Sequence, residues 1–335
     1  MLPTLRLPLV SLALLASAGC HHATPTTPAP ASASAPASAD SPALFRLETR
    51  KGREERLVAD VRINRQPAQL ALDTGASEMI ILFAPSLARL KLDVTRPVLP
   101  DPAPVPGRAQ LGVTAATEVE FLGRRYPHTT LPFVAVPPGI STADLVDGVI
   151  GWPAIARTLL RFTLGETPPS VGTIPRVPAE NTGWTKFSMV AGNTLSLRFT
   201  DSGPTAPQLL IDTGNDDGVL LAPPRWRAWL AAHPTARRTT HAAVIYGQPL
   251  KVHEGAWADD LNINGLVLRG VPVREADPAY LRHAVNGGEI VVLGLAALKR
   301  LELVLDGKNR TAYAKPSATP PPGYRHDRTG GPVAR

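Results

Sequence analysis

The chain has 335 residues, with 35 Lys and Arg against 28 Asp and Glu, for a net charge of +7. The basic residues are spread along the sequence without interleaved aromatics, and no nucleic-acid-binding motif of the usual kinds is present, so nucleic acid is excluded as the expected partner. That leaves generic solvated charge or attraction to an anionic envelope surface. One cysteine, Cys20, excludes an intrachain disulfide and a cysteine-based metal site, and the length allows two lobes that each bury a core.

Residues 1–19 hold Arg6, an apolar run at 7–16, and Ser17, Ala18 and Gly19 directly before Cys20. The run is too short to span a bilayer and reads as an export signal. It resembles a bacterial lipoprotein signal, which implies lipidation of Cys20 and attachment to a membrane of the cell envelope. Ser17 departs from that signal, which carries Leu there. The alternative is an ordinary signal peptide whose removal leaves a free thiol. Residues 20–43 are rich in Pro, Ala, Ser and Thr and read as a disordered tether. His21 and His22 on it are read as plain sequence rather than a metal site.

From residue 44 onward short strand patterns dominate. Runs at 45–48, 57–63 and 69–72 lead to Asp73-Thr74-Gly75, followed by a strand at 79–83 and a short helix at 85–92. A Pro-rich loop at 97–108 precedes two strands, 110–122 and 129–136. V-D-G-V-I-G at 146–151 then opens a helix-like piece that leads into a strand, 152–164, with a hairpin turn at 165–173. Residues 176–183 read as a linker. The order then repeats: strand pattern at 186–200, an apolar run at 209–211, Asp212-Thr213-Gly214, and a strand at 219–221. A helix carrying Trp226 and Trp229 follows, then strands around 242–246, 250–252 and 261–273. I-V-V-L-G at 290–294 opens a second helix-then-strand piece, 295–306, and Asp306-Gly307 signals a hairpin. Residues 317–335 are Pro/Gly-rich and read as a disordered tail.

The repeat is in register. Asp73 and Asp212 lie 139 positions apart (212 − 73), Gln69 and Gln208 each sit four before the Asp, and Leu82 and Leu221 nine after it. From Asp to the closing glycine is 78 positions to Gly151 (151 − 73) and 82 to Gly294 (294 − 212). A given tripeptide arises by chance about 0.04 times in a chain of this length, so one copy is weak evidence and two with matching flanks are not. The chain reads as an internal duplication into two lobes.

These residues resemble the bilobal aspartic proteases of the pepsin type, with lobes closer to retropepsin-like units. The resemblance spans roughly residues 45–316. It implies a mostly β fold of two pseudo-symmetric acid-protease-like β-barrel lobes facing a central cleft, with lobes at 44–175 and 184–316. It also implies an endopeptidase in which Asp73 and Asp212 share a proton and activate one water on a peptide or protein substrate, with no cofactor and no metal. Both carboxylates belong to one chain, so a monomer suffices. Thr74 and Thr213 are implied to bond across the lobe interface, Gly75 and Gly214 to permit the close approach, and Ser77 and Asn215 to support the dyad.

Two features depart from the family. Asn215-Asp216-Asp217 replaces the usual small or hydroxyl residues and adds negative charge if those carboxylates face the dyad. No Tyr-Gly flap tip exists in the first half; Gly107 there and Tyr246-Gly247 in the second are the flap candidates, with an ordinary strand turn as the alternative. The rival expectation is a catalytically inactive two-lobed envelope lipoprotein that binds peptides or partners, and a weaker one is a purely structural envelope protein. No Gly-x-Ser-x-Gly, His-Glu-x-x-His or phosphate-cradling loop competes.

Overall fold

The structure, a computed structural model, describes residues 43–49, 55–98, 111–136, 145–179, 183–200, 207–245, 248–276 and 289–318. Cys20, Gly107, Tyr246 and Gly247 lie outside these residues, as do the expected signal segment and nearly all of the expected tether and tail. Part of the expected linker, 180–182, lies outside them too.

Among the described residues twenty strands form one hydrogen-bonded network, in keeping with the mostly β expectation. Three tight hairpins set its register. β2 (Glu55–Ile63) turns into β3 (Gln66–Asp73) through Asn64 and Arg65, both at positive φ (50° and 63°). β6 (Leu111–Phe121) enters β7 (Arg124–Val134) through Leu122 and Gly123, at φ 52° and 69°. β16 (Gln248–Ile263) enters β17 (Leu266–Glu275) through Asn264 and Gly265, at φ 51° and 91°. Two central residues at positive φ match the twist of the flanking strands, which is why such pairs make two-residue hairpins.

In the first half, β8 (Gly148–Gly151) threads between β3, to which it runs parallel, and β4 (Ile80–Phe83), to which it runs antiparallel. β4 pairs in parallel with β7, and β6 closes the ring onto the end of β2 through Arg62↔Glu120 and Ile63↔Val119. The order β2-β3-β8-β4-β7-β6 is thus a closed six-stranded barrel.

The same pairings recur in the second half. β18 (Ile290–Leu293) lies between β13 (Gln208–Ile211), parallel, and β14 (Val219–Leu221), antiparallel, and β14 pairs in parallel with β17. β13, β14 and β18 are buried along their whole length, as continuous apolar runs flanked on both sides should be. Among the described residues, closure into a barrel is seen for the first set alone. β12 (Ser196–Phe199) spans four described residues and β2 nine, and the closing contacts in the first half use the far end of β2.

An antiparallel sheet joins the halves. β1 (Phe45–Thr49) pairs with β10 (Ser170–Thr173), and β10 with β9 (Leu159–Thr163). β9 then meets β19 (Leu301–Asp306), which hairpins to β20 (Thr311–Pro316), and β20 meets β11 (Thr185–Met189). At its centre Leu160 faces Leu305 and Phe162 faces Leu303, all four buried. One apolar cluster runs from Phe45 through both halves to Ala314. The helices are short, and the longest among the described residues, Pro223–Ala232, begins on two prolines, which its first turn tolerates because those amides have no partner in a helix.

Candidate active site

Asp73 ends β3 beside Gly151, and Asp212 follows β13, donating its N–H to Leu293 O at 3.0 Å. Each Asp is therefore delivered at the carboxyl end of a strand clamped by its parallel neighbour. The loops that follow are held alike. Gly151 N donates to Met79 O and Trp152 N to Ala76 O; Gly294 N donates to Gly218 O and Leu295 N to Asn215 O. A Cβ on Gly151 would lie 2.0 Å from Glu78 O, and one on Gly294 2.4 Å from Asp217 O, so both closing glycines are fixed by backbone contact. They support the loops.

The two loops interlock through their threonines. Thr74 N donates to Thr213 Oγ1 and Thr213 N to Thr74 Oγ1, both at 3.1 Å. Thr74 Oγ1 donates to Ile211 O at 2.6 Å, and Thr213 Oγ1 to Leu72 O at 2.8 Å. Each hydroxyl thus grips the carbonyl immediately before the opposite Asp. Both threonines are buried, so these bonds sit where water does not compete.

That interlock brings the carboxyls together. A Cβ on Gly75 would lie 2.9 Å from Asp212 Oδ1 and 3.2 Å from Asp73 Oδ1; one on Gly214 would lie 2.6 Å from Asp73 Cγ. Only glycine leaves room at either place. Asp73 Oδ1 accepts from Gly75 N and Ala76 N at 3.0 Å, and Asp212 Oδ1 from Gly214 N at 3.1 Å. Burial first, and then the charge of Asp212, push Asp73 up to about 7. The backbone donors Gly75 and Ala76 pull the other way, and the hydrogen bond shared with Asp212 raises it further. Two carboxyls this close favour one shared proton, and the titration belongs to the pair.

The other expected site residues fall in different places. Ser77 is exposed on the first loop. Asn215 is half-buried, and its Oδ1 accepts from Asp217 N at 2.9 Å. The strands β15 (Arg238–Ile245) and β16 pair up to Ile245↔Gln248, the residues flanking Tyr246 and Gly247. Asp217 is not left as bare negative charge: Arg274 Nε and Nη2 donate to its Oδ2 at 2.8 and 2.6 Å. Sequence reasoning missed Arg274. Its one signal is a charged residue inside the V-P-V-R-E strand, and its partner lies 57 positions away.

A scan against protein-family models finds no match to the chain, and a search of the curated proteins finds none either. Function is therefore read from the site itself.

Proposed function

We propose that the chain is a two-lobed aspartic endopeptidase, each half a retropepsin-like lobe, with the cleft between them. Asp73 and Asp212 act on one water without a cofactor. The observation that carries the reading is the reciprocal Thr74–Thr213 interlock, which sets two carboxyls against each other from matching loops. In this reading the ionised member of the pair takes a proton from water as it attacks the peptide carbonyl. The protonated member donates to the carbonyl oxygen, stabilising the tetrahedral intermediate, and the proton then passes to the departing nitrogen. The substrate is a peptide or protein, and one chain supplies the whole dyad. The lipoprotein-like segment ending at Cys20 supports export and lipid attachment at the cell envelope.

A pool of peptides carrying a statine-type hydroxyl, which stands in for the tetrahedral intermediate, tests this. Titrated into the full chain, such a ligand is expected to bind once per chain and to weaken about 100-fold in both Asp73→Asn and Asp212→Asn. Binding that ignores both substitutions would sink the reading.

A further inference from the structure

The two loops share their backbone bonds but differ in the side chains that hold them. Asp217 lies five residues after Asp212 and is pinned at three points. Its N–H donates to Asn215 Oδ1 at 2.9 Å, its carbonyl accepts from Ala296 N at 3.0 Å, and its carboxylate receives two bonds from Arg274. The ion pair is dry: the side chains of Arg274 and Asp217 are 5% and 6% exposed. Arg274 is itself fixed on β17, beside Leu220 of β14, and its Nη1 donates to Glu275 O at 3.2 Å. In the first loop the matching residue is Glu78, which is exposed. The register that pairs Leu82 with Phe133 puts Pro132 where the second half has Arg274.

A buried ion pair adds little net stability over apolar residues of similar volume, because desolvation cancels the attraction. What it adds here is direction: two N–H bonds converge on one oxygen and set the loop that carries Asp212. We infer that Arg274 is a positioning residue for the dyad, holding the Asp212 loop through Asp217 so that Asp212 is the anchored member against which Asp73 is set. The inference rests on the dyad reading above and goes beyond it, since Arg274 is not expected to touch substrate.

The test uses the full chain, with Arg274→Met, Arg274→Lys and the paired Asp217→Leu/Arg274→Met. The two dyad carboxyls are titrated by carbon-13 NMR, and peptide hydrolysis is followed beside them. In the wild type the two titration steps are expected to be well separated. In Arg274→Met and in the paired variant they approach by about one pH unit, tenfold in proton affinity. kcat falls about tenfold with KM within about threefold, because orientation is lost and binding is not. Arg274→Lys recovers part of both. If Arg274→Met does not fold, the paired variant, which leaves no charge unpaired, carries the test. A folded paired variant with wild-type step separation and wild-type kcat overturns the inference and leaves the endopeptidase reading intact. A wild type that cuts nothing, but whose step separation still depends on Arg274, upholds the positioning role and removes the endopeptidase reading.

Discussion

Asp73→Asn is expected to stabilise the folded chain near neutral pH while abolishing its chemistry. Asp73 is pushed up from 3.8 to about 7 by burial and then by the charge of Asp212. Between those values the folded state keeps a proton that the unfolded chain has released, so stability is lost as pH rises through that window. About three pH units at 1.36 kcal/mol each come to about 4 kcal/mol. Asp73 keeps partial exposure and shares its proton with a neighbour, which reduces the usable figure to about 2 kcal/mol. Asparagine removes that cost yet keeps an oxygen to accept from Gly75 and Ala76, and its amide donates to Asp212. For a chain of this size, about 2 kcal/mol corresponds to about 3 °C in Tm. Thermal unfolding of both proteins, followed by circular dichroism from about pH 4 to pH 8, measures it. The melting temperatures are expected to converge at the acid end, with the wild type falling below the variant as pH rises. Parallel curves, or a variant less stable at the neutral end, would refute the reasoning.

Two further substitutions probe the geometry. Thr213→Val keeps the shape but leaves Thr74 N and Leu72 O without their partner; a cost of about 2–4 kcal/mol is expected in urea unfolding, with loss of hydrolysis. An unchanged unfolding midpoint would show that the interlock is not needed. Gly214→Ala places a Cβ 2.6 Å from Asp73 Cγ and pushes that carboxyl aside; kcat is expected to fall about 100-fold. Because Gly214 is exposed, the Tm of that variant is expected to stay close to wild type, so a large fall in Tm would contradict this account.

Much of this arrangement is legible in the sequence because it is local. The runs leading to Asp73 and Asp212 are strands and the glycines at 151 and 294 close the segments beneath them, whereas the strand expected at 261–273 is broken by a hairpin at Asn264-Gly265. The paired loops also mark the candidate site: matching flanks place both Asp residues at strand ends before any contact is known. What stayed hidden is long-range. Nothing near Asp217 announces that an arginine 57 positions later meets its carboxylate. Closure of the first barrel rests on Ile63 meeting Val119 from far along the chain, which no local pattern announces. Helix patterning also ran long: the piece expected at 85–92 is helical over Ser86–Arg89.

The most direct measurement is cleavage of a diverse peptide pool by the full chain between about pH 4 and pH 8, the range that brackets the raised Asp73 carboxyl, with Asp73→Asn and Asp212→Asn run beside it. The account expects cleavage by the wild type, loss in each single variant, and no recovery when the two variants are mixed, because each chain needs both of its own carboxyls. Cleavage that survives in either variant, or a folded wild type that cuts nothing in the pool, would contradict it.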